Sequence, residues 1–128
     1  MEHNKFILLI DDDSDDCELF QEASEVVDSS IKCNTINSVA KALDFLKKTR
    51  TLPDFIFLDM NMPVMNGKEC LRLLKSDKRL KNIPVIIYST SVVNQDLKEL
   101  GAEFFEQKPV IFDDICEMIR RFIDVPVA

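Results

Sequence analysis

Short apolar runs alternate along this chain with stretches in which apolar residues recur every three or four positions. The run FILLI (6–10) is continuous, as expected of a strand covered on both faces. From Ser14 to Val27, the residues Cys17, Phe20, Ala23 and Val27 mark one face of a helix. IKCNTI (31–36) reads as a second strand, and its polar alternation predicts a sheet edge. Ser38 is placed to cap a helix that turns Val39, Ala42, Leu43 and Leu46 inward. Pro53 and Asp54 introduce a third strand, FIFL (55–58), which stops at Asp59, and MNMPVMNG (60–67) is a loop by its Pro, Asn and Gly content. Cys70, Leu71 and Leu74 predict a helix over 67–79. Pro84 opens a fourth strand, VIIY (85–88), followed by Ser89, Thr90 and Ser91. Val93, Leu97 and Leu100 predict a short helix that Gly101 ends. EFFEQ (103–107) is a weak fifth strand ahead of Lys108 and Pro109, and Ile111, Ile115, Met118, Ile119 and Phe122 trace the buried side of a last helix.

Five strands alternating with five helices through short links specify an α/β fold, a doubly wound parallel sheet covered on both faces. At 128 residues and 14.7 kDa the chain suits one core, and the pattern leaves no segment over for a second domain, so 1–128 is expected to be a single unit. No apolar run approaches the ~18 residues of a membrane span. MEHNKF at the N-terminus has no basic segment leading into an apolar one, so no signal peptide is expected and a cytoplasmic location is. A net charge of −7 argues against nucleic acid as a partner, because binding a phosphate backbone needs a basic footprint. The four cysteines (Cys17, Cys33, Cys70, Cys116) form no CxxC pair and are expected to be small buried hydrophobes.

Charge changes the picture most at ILLIDDDSDD (7–16), where a buried-strand pattern runs into five aspartates. At an effective dielectric of about 20, two carboxylates roughly 4 Å apart repel by about 4 kcal/mol. Ligands of open α/β sheets bind beyond the carboxyl ends of the strands. Those ends carry Asp11, Asp12 and Asp13 after the first strand, Asp59 after the third, Ser89 to Ser91 after the fourth and Lys108 after the fifth. Gathered carboxylates suit a hard divalent cation such as Mg²⁺, which would offset their repulsion. A lysine and a hydroxyl beside it are groups that stabilise a transferring phosphoryl group, and a facing aspartate can be the nucleophile. This chemistry points to phosphoryl transfer onto a carboxylate without choosing which one. Asp13, Asp15 and Asp16 are read as first-turn carboxylates that meet the helix dipole.

With ILLIDD (7–12), FLDMNMPVMNG (57–67), VIIYSTS (85–91) and QKP (107–109) in order, the chain resembles the CheY-like receiver domain of two-component response regulators over nearly its whole length. The resemblance implies a flavodoxin-like (βα)5 fold with strand order 2-1-3-4-5. It implies that Asp59 is the phosphoacceptor. Asp12 would ligate Mg²⁺ directly, Asp11 through a bound water, and the backbone carbonyl of Asn61 would be a further ligand. Lys108 would pair with a phosphoryl oxygen, and Ser89 would hydrogen-bond it. Phe105 falls where the family keeps an aromatic ring that swings inward on phosphorylation, and the Lys108–Pro109 peptide would be cis. The implied donor is a sensor histidine kinase or phosphotransfer protein. With no output domain, signalling would run through contacts with a downstream protein, a relay partner or a second copy in a homodimer. No enzymatic turnover beyond the domain's own phosphorylation and dephosphorylation is implied.

The chain also departs from the family pattern. Thr90 stands where a small residue is usual, the segment 91–100 is about one helical turn short, and Glu106 and Gln107 replace apolar residues of the last strand. Met60, Asn61 and Ser91 occupy positions that tune phosphoryl lifetime, and slow autodephosphorylation is expected. Two rival readings are weaker. Asp11, Asp13, Asp15 and Glu22 match part of a calcium-binding loop, but Asp16 stands where that loop needs glycine. ILLIDDDSD also resembles the start of haloacid-dehalogenase-type phosphatases, in which Asp11 would be the nucleophile, but Asp15 replaces the usual Thr or Val. A receiver-like module that only binds is a third class.

Overall fold

The computed structural model describes residues 5–60, 62, 67–90, 98 and 100–123. Five parallel strands, β1 (Phe6–Ile10), β2 (Lys32–Ile36), β3 (Phe55–Leu58), β4 (Val85–Ser89) and β5 (Phe104–Gln107), form one sheet in the order β2-β1-β3-β4-β5. Four helices lie among the described residues: α1 (Ser14–Val27), α2 (Val39–Lys48), α3 (Gly67–Ser76) and α4 (Phe112–Ile123). Each parallel step needs a crossover; α1 supplies the one from β1 to β2 on one face, and α2 and α3 supply the next two on the other. The flavodoxin-like order expected from the resemblance is the observed one.

The alternation of side chains along each strand splits the core into two layers. Leu8, Ile10, Ile56, Leu58, Val85 and Ile87 point to one face, where α2 and α3 cover them with Ala42, Leu46, Leu71 and Leu74. Ile7, Leu9, Phe55, Phe57, Ile86 and Tyr88 point to the other, under Phe20 of α1 and Ile115, Ile119 and Phe122 of α4. This explains why FILLI has no polar position: all five residues are buried. Phe57 anchors the second layer, with Phe20, Phe122 and Tyr88 packed edge-to-face at centroid distances of 5.0, 5.4 and 5.9 Å. β2 and β5 are the sheet edges, and their half-polar sequences fit that place.

Local chemistry sets the helix ends. Ser38 Oγ accepts from Lys41 N at 3.1 Å, the expected cap of α2. The helix expected over 67–79 stops at Ser76, because the Asp77 carboxylate accepts from Arg79 N (2.8 Å) and Leu80 N (3.3 Å), making a turn that competes with another helical turn. Ile111, expected on the buried side of the last helix, is 61% exposed because it precedes α4. The helix expected around Val93, Leu97 and Leu100 lies mostly outside the described residues, while Gly101 adopts φ 108°, a conformation glycine tolerates at no steric cost. Cys17, Cys70 and Cys116 are buried and Cys33 is half-buried, all as free thiols. Among the described residues no helix is long and apolar enough to cross a membrane.

Candidate functional site

Register delivers the acidic residues to one point. Ile10 of β1 lies beside Leu58 of β3, so Asp11 and Asp59 leave adjacent central strands at the same level. Backbone bonds hold both exits: Asp11 N donates to Ile36 O at 3.1 Å, and Asp59 N donates to Ile10 O at 2.9 Å. On the far side of β3, Lys108 N donates to Ser89 O at 2.8 Å, which fixes the exits of β4 and β5 together. Gly67 closes the floor. A Cβ there would lie 2.6 Å from Asp59 O and 2.8 Å from Met60 Cα, so only glycine lets α3 start this close to the β3 exit.

Asp11, Asp12 and Asp59 each bring a carboxylate oxygen within 4.8 Å of the others. Asp11 and Asp59 are buried and Asp12 is exposed, so the cluster opens outward through Asp12. Asp11 and Asp12 border a surface groove with Ser14, Cys17, Thr35 and Asn37. Lys108 Nζ lies 2.7 Å from Asp11 Oδ2, 2.8 Å from Asp16 Oδ2 and 3.8 Å from Asp59 Oδ2, and 5.5 Å from the centre of the Tyr88 ring. The approach to Asp11 is oblique, and the buried Oδ2 has no aligned hydrogen-bond donor. Asp11 Oδ1, by contrast, accepts from Asp13 N at 2.9 Å.

Burial pushes the Asp11 carboxyl up to about 6, with the Asp59 charge adding to the rise, against the lowering effects of Lys108 and the Asp13 amide. Burial works to lower the Lys108 ammonium, but its contacts with Asp11 and Asp16 outweigh that and hold it above the ordinary lysine value. Three carboxylates, those of Asp11, Asp16 and Asp59, thus face one ammonium, with Asp12 beside them. A divalent cation fits this donor set: hard oxygens, two of them buried, and one buried oxygen without a directed partner.

Of the residues singled out in the sequence, Asp11, Asp12, Asp59 and Lys108 meet here, with Ser89 buried at the neighbouring strand end. Phe105 is half-buried on β5 and packs against the α2–α3 layer of the core. Asn61 and Ser91 lie outside the described residues. The Lys108–Pro109 peptide, expected cis, is trans. An amide before proline separates its isomers by only about 0.5–1 kcal/mol, so the dipeptide itself does not impose the cis form. Asp13 and Asp16 divide the role read for both. Asp13 is the N-cap of α1, accepting from Asp15 N and Asp16 N at 3.0 and 3.1 Å. Asp16 instead turns into the site and bonds Lys108, a contact 92 positions away that no local pattern signals.

Residues 7–120 match the family described as response regulator receiver domain. The chain is 29% identical over 122 residues to the probable methanogenesis regulatory protein FilR2 of Methanothrix harundinacea (strain 6Ac), covering 90% of this chain and 79% of that one. It is similar in structure to the phosphorylated cyanobacterial phytochrome response regulator RcpA, with a TM-score of 0.83 and 29% identity over 94% of this chain and 91% of that one. The Mn²⁺-bound form of response regulator Rcp1 aligns with a TM-score of 0.79 and 28% identity, covering 92% of this chain and 91% of that one. The sheet order, the acidic cluster at its carboxyl rim and the match over 7–120 agree, and this chain belongs to the response regulator receiver domain family of two-component signalling.

Proposed function

We propose that the domain takes a phosphoryl group onto Asp59 from a phosphohistidine of a sensor kinase or phosphotransfer protein, with Mg²⁺ bound at the rim. The observation that carries this reading is the convergence of Asp11, Asp12 and Asp59 within 4.8 Å beside Lys108. Asp11, Asp12 and Asp59 would hold the ion, joined by the Asn61 carbonyl. When bound, it supplies charge neutralisation for the phosphoryl oxygens. A structure of the phosphorylated relative RcpA and one of Mn²⁺-bound Rcp1 support the same chemistry here.

The chain's own residues then divide the work. A carboxylate oxygen of Asp59 attacks phosphorus, a new O–P bond forms, and the N–P bond of the donor breaks with its electron pair returning to the imidazole. Lys108, its ammonium 3.8 Å from Asp59 Oδ2, neutralises charge on a phosphoryl oxygen. Ser89 donates its hydroxyl to another oxygen, and Phe105 turns inward as the two conformations exchange population. Output passes through contacts with a partner protein, and slow autodephosphorylation gives the signal time to be read.

Incubation with Mg²⁺ and acetyl phosphate or beryllofluoride, followed by mapping of the modified residue, tests this directly. Label on Asp59 is the expected result. Label on Asp11 with catalytic turnover would indicate a phosphatase instead, and no label at all would indicate a module that only binds.

A further inference from the structure

Lys108 Nζ lies 2.7 Å from Asp11 Oδ2, 2.8 Å from Asp16 Oδ2 and 3.8 Å from Asp59 Oδ2, and its contact with Asp16 is an aligned hydrogen bond. Asp16 is itself fixed from behind. Asp11 Oδ1 takes Asp13 N, Asp13 Oδ1 takes Asp16 N, and Asp16 Oδ2 takes Lys108 Nζ, so bonded groups run from the strand end through the first turn of α1 to the ammonium. The Lys108 side chain is only 9% exposed, and that of Asp16 is 32% exposed. Asp16 therefore holds the ammonium from its solvent side.

A lysine on a flexible four-carbon stem, set among carboxylates, settles on whichever ones it can reach. With Asp16 removed, Asp11 at 2.7 Å would be left alone against the pull of Asp59, and Lys108 would move across the 3.8 Å gap toward a direct ion pair with the attacking carboxylate. Such a pair would lower the nucleophilicity of Asp59 and use the donor that a phosphoryl oxygen needs.

Resting on the reading of Asp59 as phosphoacceptor, we propose that Asp16 is a positioning residue for phosphoryl transfer: it holds the Lys108 ammonium back from Asp59 and presents it to the incoming group. The bond it contributes lies outside the acidic cluster of Asp11, Asp12 and Asp59.

The test uses Asp16→Asn, Asp16→Glu, Lys108→Ala and the double variant Asp16→Asn/Lys108→Ala in the full chain. The rate of modification by acetyl phosphate with Mg²⁺ is followed by intact mass. Asp16→Asn is expected to slow it by about five- to tenfold and Asp16→Glu to restore most of the rate, while the Lys108→Ala background abolishes the effect of Asp16→Asn. In the unmodified protein without metal, Asp16→Asn is expected to shift the ¹⁵N resonance of Lys108 Nζ, and Asp16→Glu to leave it near its original position. A rate in Asp16→Asn within about twofold of the unaltered protein, or the same slowing with and without Lys108, overturns the proposal while the functional reading stands. Absence of label in the unaltered protein overturns that reading and the proposal with it. An unmoved Lys108 resonance in Asp16→Asn overturns the proposal by itself.

Discussion

The two rims of this sheet both draw a lysine and carboxylates toward the core, and they treat them differently. At the amino-terminal rim, Lys75 Nζ is bonded to Lys81 O (3.1 Å), Ile83 O (3.0 Å) and Glu103 Oε1 (2.6 Å). The other oxygen of Glu103 takes Val85 N at 2.7 Å, and Asp54 takes Phe6 N at 2.8 Å. The ammonium has an acceptor for each of its three hydrogens, and the carboxylates bond the first residues of strands. That network is complete, and a complete network specifies structure. At the carboxyl-terminal rim one ammonium faces Asp11, Asp16 and Asp59, with Asp12 beside them, and a buried oxygen of Asp11 has no directed donor. Polar groups buried without full satisfaction cost stability, and the divalent cation proposed above would complete them. The same residue types thus build a brace at one end and the proposed phosphoryl-transfer site at the other.

The largest difference between the rims is expected in chemistry. Asp59→Asn should reduce labelling by acetyl phosphate at least about a hundredfold, since an amide is not a competent nucleophile. The same variant should lose the modification-induced NMR shifts around Ser89 and Phe105. Shifts that persist would break the link between modification and switching. At the opposite rim, Lys75→Met strands Glu103 and two carbonyls and should cost about 2–3 kcal/mol in urea unfolding. Its labelling rate should stay unchanged wherever the protein remains folded.

A smaller effect concerns pH. The Asp11 carboxyl titrates near 6 in the fold against 3.8 ordinarily, so the folded state binds its proton more tightly than the unfolded chain. Its contribution to stability is fully present below pH 3.8 and is lost as pH rises through about 6. Asp11→Asn should therefore gain on the unaltered protein across that window, by about 1–2 kcal/mol after allowance for solvent screening, as read from paired urea melts without metal. Saturating Mg²⁺ should erase the gain, because the ion stabilises the ionised carboxylate.

How much of this was legible beforehand follows from the range of each interaction. The apolar runs and the helix period report contacts that every residue of an element shares, so all five strands could be placed, and strand ends carried Asp11, Asp59, Ser89 and Lys108 to one rim. Asp16 was not legible as part of the site, because a first-turn aspartate is already explained by the helix dipole and its true partner lies across the fold. The end of α3 was missed for a local reason, since the chain turns there through the Asp77 carboxylate on Arg79 N and Leu80 N and not at a glycine or proline. Ile111 shows the reverse: periodicity continues one residue beyond the helix that gives it meaning.

The central claim is that the crowded carboxylates at the carboxyl rim are held for a divalent cation. A calorimetric Mg²⁺ titration of the metal-free protein near pH 7.5, run beside Asp11→Asn and Asp12→Asn, tests it most directly. The expected result is one ion per chain with affinity weakened in both variants and with protons released as pH is lowered toward 6. No measurable binding, or binding that both variants leave unchanged, would contradict it.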